Sequence, residues 1–213
     1  HPVILAGHDG GAWKMSTLSE YLASHGYVVV SSGFLSSTFS LMSKDSQKAL
    51  MRRVGTFEIV RSLLDRIESA DPSRLGLLGL NADGMSVLLY QMKTKAAKAV
   101  VSIDGWEGKN GGSRTVSENQ HFALKGFDAP YLEFQQDDQT DREQLQLNTT
   151  IFDQMTSSDR FSFILKGFGH AYLTGNMIAL PKLDEPAISQ YRFWFGTIRL
   201  FMDAYVRSDA RAR

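Results

Sequence analysis

Three short stretches carry residues suited to acyl-transfer chemistry. The first is Arg74-Leu75-Gly76-Leu77-Leu78-Gly79-Leu80-Asn81-Ala82-Asp83-Gly84, an apolar run that turns through Gly-x-Asn-x-x-Gly into a helical pattern. A nucleophile elbow of the form G-x-S-x-G makes such a turn, and its small residues let the central side chain project above a sheet. Gly79 and Gly84 can serve that turn, but Asp83 takes the place of the second glycine and Asn81 the place of the serine. Asparagine tolerates unusual backbone angles better than most residues. The second stretch, His8-Asp9-Gly10-Gly11, directly follows an apolar run. It fits an oxyanion turn, whose backbone N–H at Gly10 would act with that of Ala82, the residue after the nucleophile position. The third, Lys166-Gly167-Phe168-Gly169-His170, places a histidine where a general base is expected.

A working site of this kind uses histidine to take the serine proton, an acid to orient the imidazole, and the serine oxygen to attack a carbonyl. A carboxamide donates and accepts hydrogen bonds but forms no ordinary acyl-enzyme. Three readings of Asn81 follow. The domain binds a ligand without turning it over; or His170 activates water directly while Asn81 positions it; or Asn81 was introduced into a true serine esterase to silence it. Losing one triad member leaves catalysis on the order of 10³–10⁴-fold over water, far below a useful esterase.

Positioning these groups requires alternating strands and helices. Strand candidates are Val3–Ala6, Tyr27–Ser31, Leu75–Leu78, Ala99–Ile103, Tyr131–Phe134 and Phe161–Leu165, most of them continuously apolar as strands buried on both faces are. Helical spacing is expected over Ser16–His25, Ser46–Ala70, Asp83–Lys93, Gln139–Met155 and Pro186–Val206. The alternation predicts a single α/β domain over residues 1–213, built on a doubly wound, mostly parallel sheet with helices on both faces. The polar stretch Glu107–Asn119 reads as a surface loop or an excursion from the sheet, and Ser31–Asp45 as an irregular loop at a strand end, where α/β proteins place ligand contacts.

Totals exclude several function classes. Lys and Arg number 23 and so do Asp and Glu, so no basic footprint for nucleic acid or anionic membrane exists. With no cysteine, thiolate chemistry and cysteine-ligated zinc are ruled out. No apolar run reaches the ~18 residues of a bilayer span. The acidic group Asp137, Asp138 and Asp141 lacks the glycine and distal glutamate of a calcium loop. The scheme calls for no metal and no cofactor. The chain enters a strand almost at His1, which suggests a natural product that continues upstream.

The opening Pro2-Val3-Ile4-Leu5-Ala6-Gly7-His8-Asp9-Gly10-Gly11, then Tyr21-Leu22-Ala23-Ser24-His25-Gly26-Tyr27, the elbow, Ile103-Asp104-Gly105-Trp106 and Lys166–His170 follow one another in a familiar order. In these segments the chain resembles the plasma-type platelet-activating-factor acetylhydrolases and their dienelactone-hydrolase-like bacterial relatives, from His1 to about Leu173. The resemblance implies an α/β-hydrolase fold, a short-chain ester or lipid-like small molecule as ligand, and first strands that would lie upstream of His1. Many such hydrolases carry the triad acid after the next-to-last strand, which would favour Asp137 or Asp138. The acetylhydrolases carry it in an Asp-x-Trp segment, so the resemblance favours Asp104, with Asp138 as the fallback. The expected site is therefore Asn81, Asp104 and His170, with Gly10 and Ala82 as oxyanion donors.

Plainer roles compete for the same residues. Asn81 can cap the helix that follows it, Asp104 can be a strand-end turn, and His8 fits a structural hydrogen bond better than catalysis. The aromatic stripe of the last helix fits core packing.

Overall fold

The computed structural model describes residues 1–9, 11–34, 46–137, 149–174 and 183–212. Six strands form one parallel sheet: β1 (Pro2–Asp9), β2 (Val28–Phe34), β3 (Asp71–Leu80), β4 (Ala99–Ile103), β5 (Tyr131–Gln136) and β6 (Arg160–Leu165). Their spatial order is β2-β1-β3-β4-β5-β6, and every pairing is parallel. All six apolar runs expected to be strands are strands. The order reverses between β1 and β3, and at such a switch point the carboxyl ends of the strands open a crevice for ligands. The register sets Gly7 beside Gly79 and His8 beside Leu80, so the turns after β1 and β3 lie next to each other.

Alternating side chains send each strand's residues to opposite faces. Val3, Leu5, Leu75, Leu77, Val100 and Tyr131 join one core, with α2 (Ser46–Leu63) and α3 (Ala82–Thr94). Ile4, Ala6, Leu78, Leu80, Val101 and Phe134 join the other, with α1 (Ser16–Ser24) and the C-terminal helix (Glu185–Tyr205). Helix α3 is buried on every side from Ala82 to Met92, because β3, β4, α2 and α4 (Asn110–Ser117) enclose it. Two short helices, α5 (Thr150–Gln154) and α6 (His170–Leu173), flank β6, so the C-terminal helix is α7. Asp184 caps α7 by accepting the Ala187 N–H at 2.9 Å, and Pro186 sits in its first turn, where no intrahelical donor is needed.

Four expectations differ from the fold. Residues 31–34, expected to open an irregular loop, continue β2, and the remainder of that stretch to Asp45 lies outside the described residues. The helix expected over Ser46–Ala70 ends at Leu63, where a 3-10 turn over Leu64–Arg66 buries Leu64 and redirects the chain into β3. The polar stretch after Trp106 is not a surface loop. It holds a 3-10 turn (Trp106–Gly108) and α4, and buries Glu107, Lys109 and Ser113, with Glu107 Oε1 and Lys109 Nζ meeting polar partners inside. Strand β6 lies at the sheet edge and leaves Phe161 and Ile164 more than two-fifths exposed, unlike the inner strands. Of the helix expected over Gln139–Met155, only its end falls among described residues, as α5.

Candidate active site

Strand β3 delivers Asn81 at its carboxyl end in a conformation (φ 57°, ψ −122°) that side-chain-bearing residues rarely adopt. Such a backbone costs roughly 1–3 kcal/mol and persists only where its surroundings determine it. Three hydrogen bonds do so here. Asn81 N–H donates to the Ile103 carbonyl at 2.9 Å, and the Asn81 carbonyl accepts from Gly84 N–H at 3.0 Å and Trp106 N–H at 3.3 Å. Gly79 is required by space, since a Cβ there would stand 2.2 Å from the Asp83 carbonyl oxygen. Gly84 is required too: its Cβ would meet Ser102 Oγ at 2.5 Å and Glu107 Oε2 at 2.6 Å. Asn81 thus has elbow geometry as well as preceding a helix, and its side chain makes no capping bond to that helix.

Asp83, at the motif's second glycine, turns its side chain toward β1. A Cβ on Gly7 would lie 2.5 Å from the Phe57 ring and 2.9 Å from Asp83 Cβ, so the neighbouring strand makes room both for that ring and for the Asp83 side chain. The Asp83 carboxylate pairs with Arg53 Nη1 of α2 at 3.1 Å, and both side chains are almost wholly buried. Breaking such a pair from one side is costly, because the remaining charge stays out of water.

The turn after β4 carries Asp104, fully buried with φ 47°, its N–H donating to the Phe134 carbonyl at 2.6 Å. His170 reaches it from the first turn of α6: His170 Nδ1 and Asp104 Oδ2 form a close hydrogen bond. Pairing through Nδ1 leaves Nε2 as the nitrogen for proton transfer, the division of labour a triad uses. The structure brings Asp104 and His170 together. Asp137 has a different partner, accepting the Gly167 N–H at 3.3 Å and so holding the loop that carries His170. Asp138 and Gly10 lie outside the described residues. Ala82 opens α3 and is buried; its amide is one of the first-turn donors a helix leaves without an intrahelical acceptor. His8 is buried and bonds Ser31 Oγ of β2 through Nε2, which suits the structural role expected of it.

Sequence reasoning missed a buried polar layer beneath these turns. Lys109 Nζ stands 3.2 Å from Asp104 Oδ1, so the carboxylate is held between an imidazole and an ammonium. Glu107 Oε1 accepts hydrogen bonds from Ser102 Oγ and, at 2.9 Å, from the Tyr131 hydroxyl. Burial pushes the Glu107 carboxyl above its ordinary range, against the opposing pull of those donors. Farther along β5, burial raises Glu133 to about 7, although Ser162 Oγ donates to it at 2.6 Å. No spacing rule marks these residues. Their only signal is a run of polar side chains immediately after an Asp-x-Trp segment.

Among the described residues, no group of His, Cys, Asp and Glu could hold a metal ion, and no helix is long and apolar enough to cross a membrane.

No family profile matches the chain, and no curated protein matches it. Solved structures do. A ferulic acid esterase from Streptomyces cinnamoneus superposes with a TM-score of 0.72 at 15% identity, over 98% of this chain and 68% of that one. DcsB, solved with a substrate analogue, gives 0.65 at 11% identity, over 97% and 91%. The isopeptidase AtxE2 gives 0.65 at 15% identity, over 98% of this chain and 36% of its own. With a six-stranded parallel sheet that reverses its order beside a strained strand-to-helix turn, and with neighbours of this kind, the chain has the α/β-hydrolase fold.

Proposed function

We propose that the domain is an ester-hydrolase-type binding site that keeps the acid–base pair and has lost the nucleophile. It would take a small ester or lipid-like ligand of the short-chain or acetyl-ester class and hold it without forming an acyl-enzyme. The observation that carries this reading is the Asp104–His170 hydrogen bond, with Asp104 buried and the pair set beside an elbow whose projecting residue is Asn81. Asp104 orients the imidazole, His170 offers Nε2, and the amides of Gly10 and Ala82 supply the carbonyl-oxygen donors. Asn81 contributes hydrogen bonds where the chemistry asks for an attacking oxygen. The relation to plasma-type acetylhydrolases and dienelactone-hydrolase-like proteins belongs to this reading and rests on the ordered motifs.

The test is hydrolysis of a short-chain p-nitrophenyl ester by the protein as sequenced, by Asn81→Ser and by Asn81→Ser with His170→Ala. The expected outcome is a rate near background for the sequenced protein, turnover in Asn81→Ser, and loss of that turnover by at least ~10³-fold when His170 is also removed. Substantial His170-dependent turnover by the sequenced protein would instead support water activation by the imidazole. An inert Asn81→Ser would overturn the assignment of Asp104 and His170 as a competent pair.

A further inference from the structure

The elbow conformation has a chemical consequence for an asparagine that it lacks for a serine. Viewed along Cα–C, the backbone nitrogen and Cβ of an L-residue stand one third of a turn apart. A ψ of −122° therefore swings the Ala82 nitrogen into near-eclipse with Asn81 Cβ. Ala82 N, Asn81 C, Cα and Cβ already lie close to one plane, and only the side-chain carbon Cγ is needed to close a ring. Most backbone conformations keep these atoms far from that plane and must rotate before reacting.

We propose that Asn81 is a self-modification site, at which the Ala82 amide nitrogen attacks the Asn81 carboxamide carbon and expels ammonia. Hydroxide takes the Ala82 N–H proton. The nitrogen adds to Cγ, the Cγ–Nδ2 bond breaks, and the departing nitrogen takes a proton from water to leave as ammonia. The product is a cyclic imide across positions 81 and 82. Water then opens either imide carbonyl, giving an aspartyl or an isoaspartyl residue.

Two features of the structure favour the first step. The hydrogen bonds from Gly84 and Trp106 to the Asn81 carbonyl hold the 81–82 peptide plane in the reactive orientation, and the bond from Asn81 N–H to Ile103 fixes its other side. Ala82 is the first residue of α3, so losing its N–H removes no intrahelical hydrogen bond. Asn81 is also only partly buried, which admits water to the imide. The aspartyl product puts a carboxylate where the elbow projects its side chain, and carboxylates, unlike amides, form covalent enzyme intermediates.

The experiment follows position 81 by peptide mass spectrometry with isoaspartate detection, in the folded protein and in the same protein unfolded in urea, both held at mildly alkaline pH. In the folded protein an ammonia-loss species should appear at Asn81 and pass to aspartyl and isoaspartyl forms, several-fold faster than in urea. In urea, Asn110-Gly111 should react first, since glycine leaves the chain freest to rotate. His170→Ala should keep the folded-state rate, because ring closure uses no imidazole. Conversion in the folded protein that is no faster than in urea overturns the proposal. So does an aspartyl product alone that vanishes in His170→Ala, since that marks direct hydrolysis by an activated water. The readout is mass and not turnover, so its outcome is separate from that of the ester assay.

Discussion

The two faces of the sheet are built on different principles. The face under α1 and α7 is aromatic: Phe134, Phe168, Tyr191, Trp194 and Phe195 pack in tilted and edge-to-face contacts with ring centroids 4.5–6.1 Å apart. Its main buried charge, Asp203, lies at the amino end of the strands, where it accepts the Tyr27 hydroxyl at 2.7 Å and pairs with Arg199 and Arg207. The face under α2 and α3 carries charge and polar groups: Arg53 with Asp83 and Glu107 near the carboxyl ends, then Ser102, Tyr131, Glu133 and Ser162 along β4, β5 and β6. Apolar packing is non-directional and holds elements together. Hydrogen bonds and ion pairs are directional, and here they hold turns at fixed angles, which is what an elbow and an acid-bearing turn require. The first face accounts chiefly for stability and the second for geometry.

The largest effect should come from the aromatic face. Trp194 is its largest fully buried side chain, and Trp194→Ala should cost about 3–5 kcal/mol in urea unfolding. If the faces divide their roles as described, the His170–Asp104 pair should survive in whatever fraction remains folded. A changed histidine environment by NMR in that fraction would break the comparison.

Next comes Asp83→Ala, which leaves Arg53 buried without its carboxylate. It should cost about 3 kcal/mol or more, and adding Arg53→Met should recover much of that loss, because removing both charges leaves neither stranded. A double variant as unstable as the single one would mean that the ion pair itself, and not the avoidance of a lone charge, holds the elbow.

The smallest effect depends on pH. Glu133 binds its proton more tightly in the folded state, with its value raised from 4.5 to about 7 by burial. A raised carboxyl contributes stability that is complete below the unfolded value and is lost as pH rises through the folded one. Stability should therefore fall by a few kcal/mol between about 4.5 and 7 from this group. Glu133→Gln should flatten that fall and leave the protein more stable than the parent above pH 7. An unchanged pH slope, measured by urea titrations across the window, would remove Glu133 from the account.

How much of this was legible in the sequence follows the same division. Apolar runs betray buried strands, so all six strands could be placed from pattern alone, while the division of the core between the two sheet faces came from the structure. Asn81 and His170 were singled out because each follows a strand in a recognisable order, and Asp104 because the family resemblance favoured it; the structure brings Asp104 and His170 within hydrogen-bond reach. Glu107, Lys109 and Arg53 were not found. A buried charge looks like a surface charge in sequence, and only the partner distinguishes them. Arg53 and Asp83 are thirty positions apart in the chain. Edge strand β6 misled in the opposite sense, because an apolar run does not say whether a neighbour covers it.

The interlock of Gly7 with Asp83 sets a constraint on anyone who would rebuild this elbow. The chain does not lack the second motif glycine so much as keep it on another strand, with an arginine committed to the difference. Restoring the usual G-x-S-x-G letter by letter would therefore put glycines on both sides of one gap and leave Arg53 facing a void. Serine at position 81 is a local edit, whereas glycine at position 83 must carry Arg53 with it, and Gly7 stays a glycine in either case because the Phe57 ring stands 2.5 Å from where its Cβ would be.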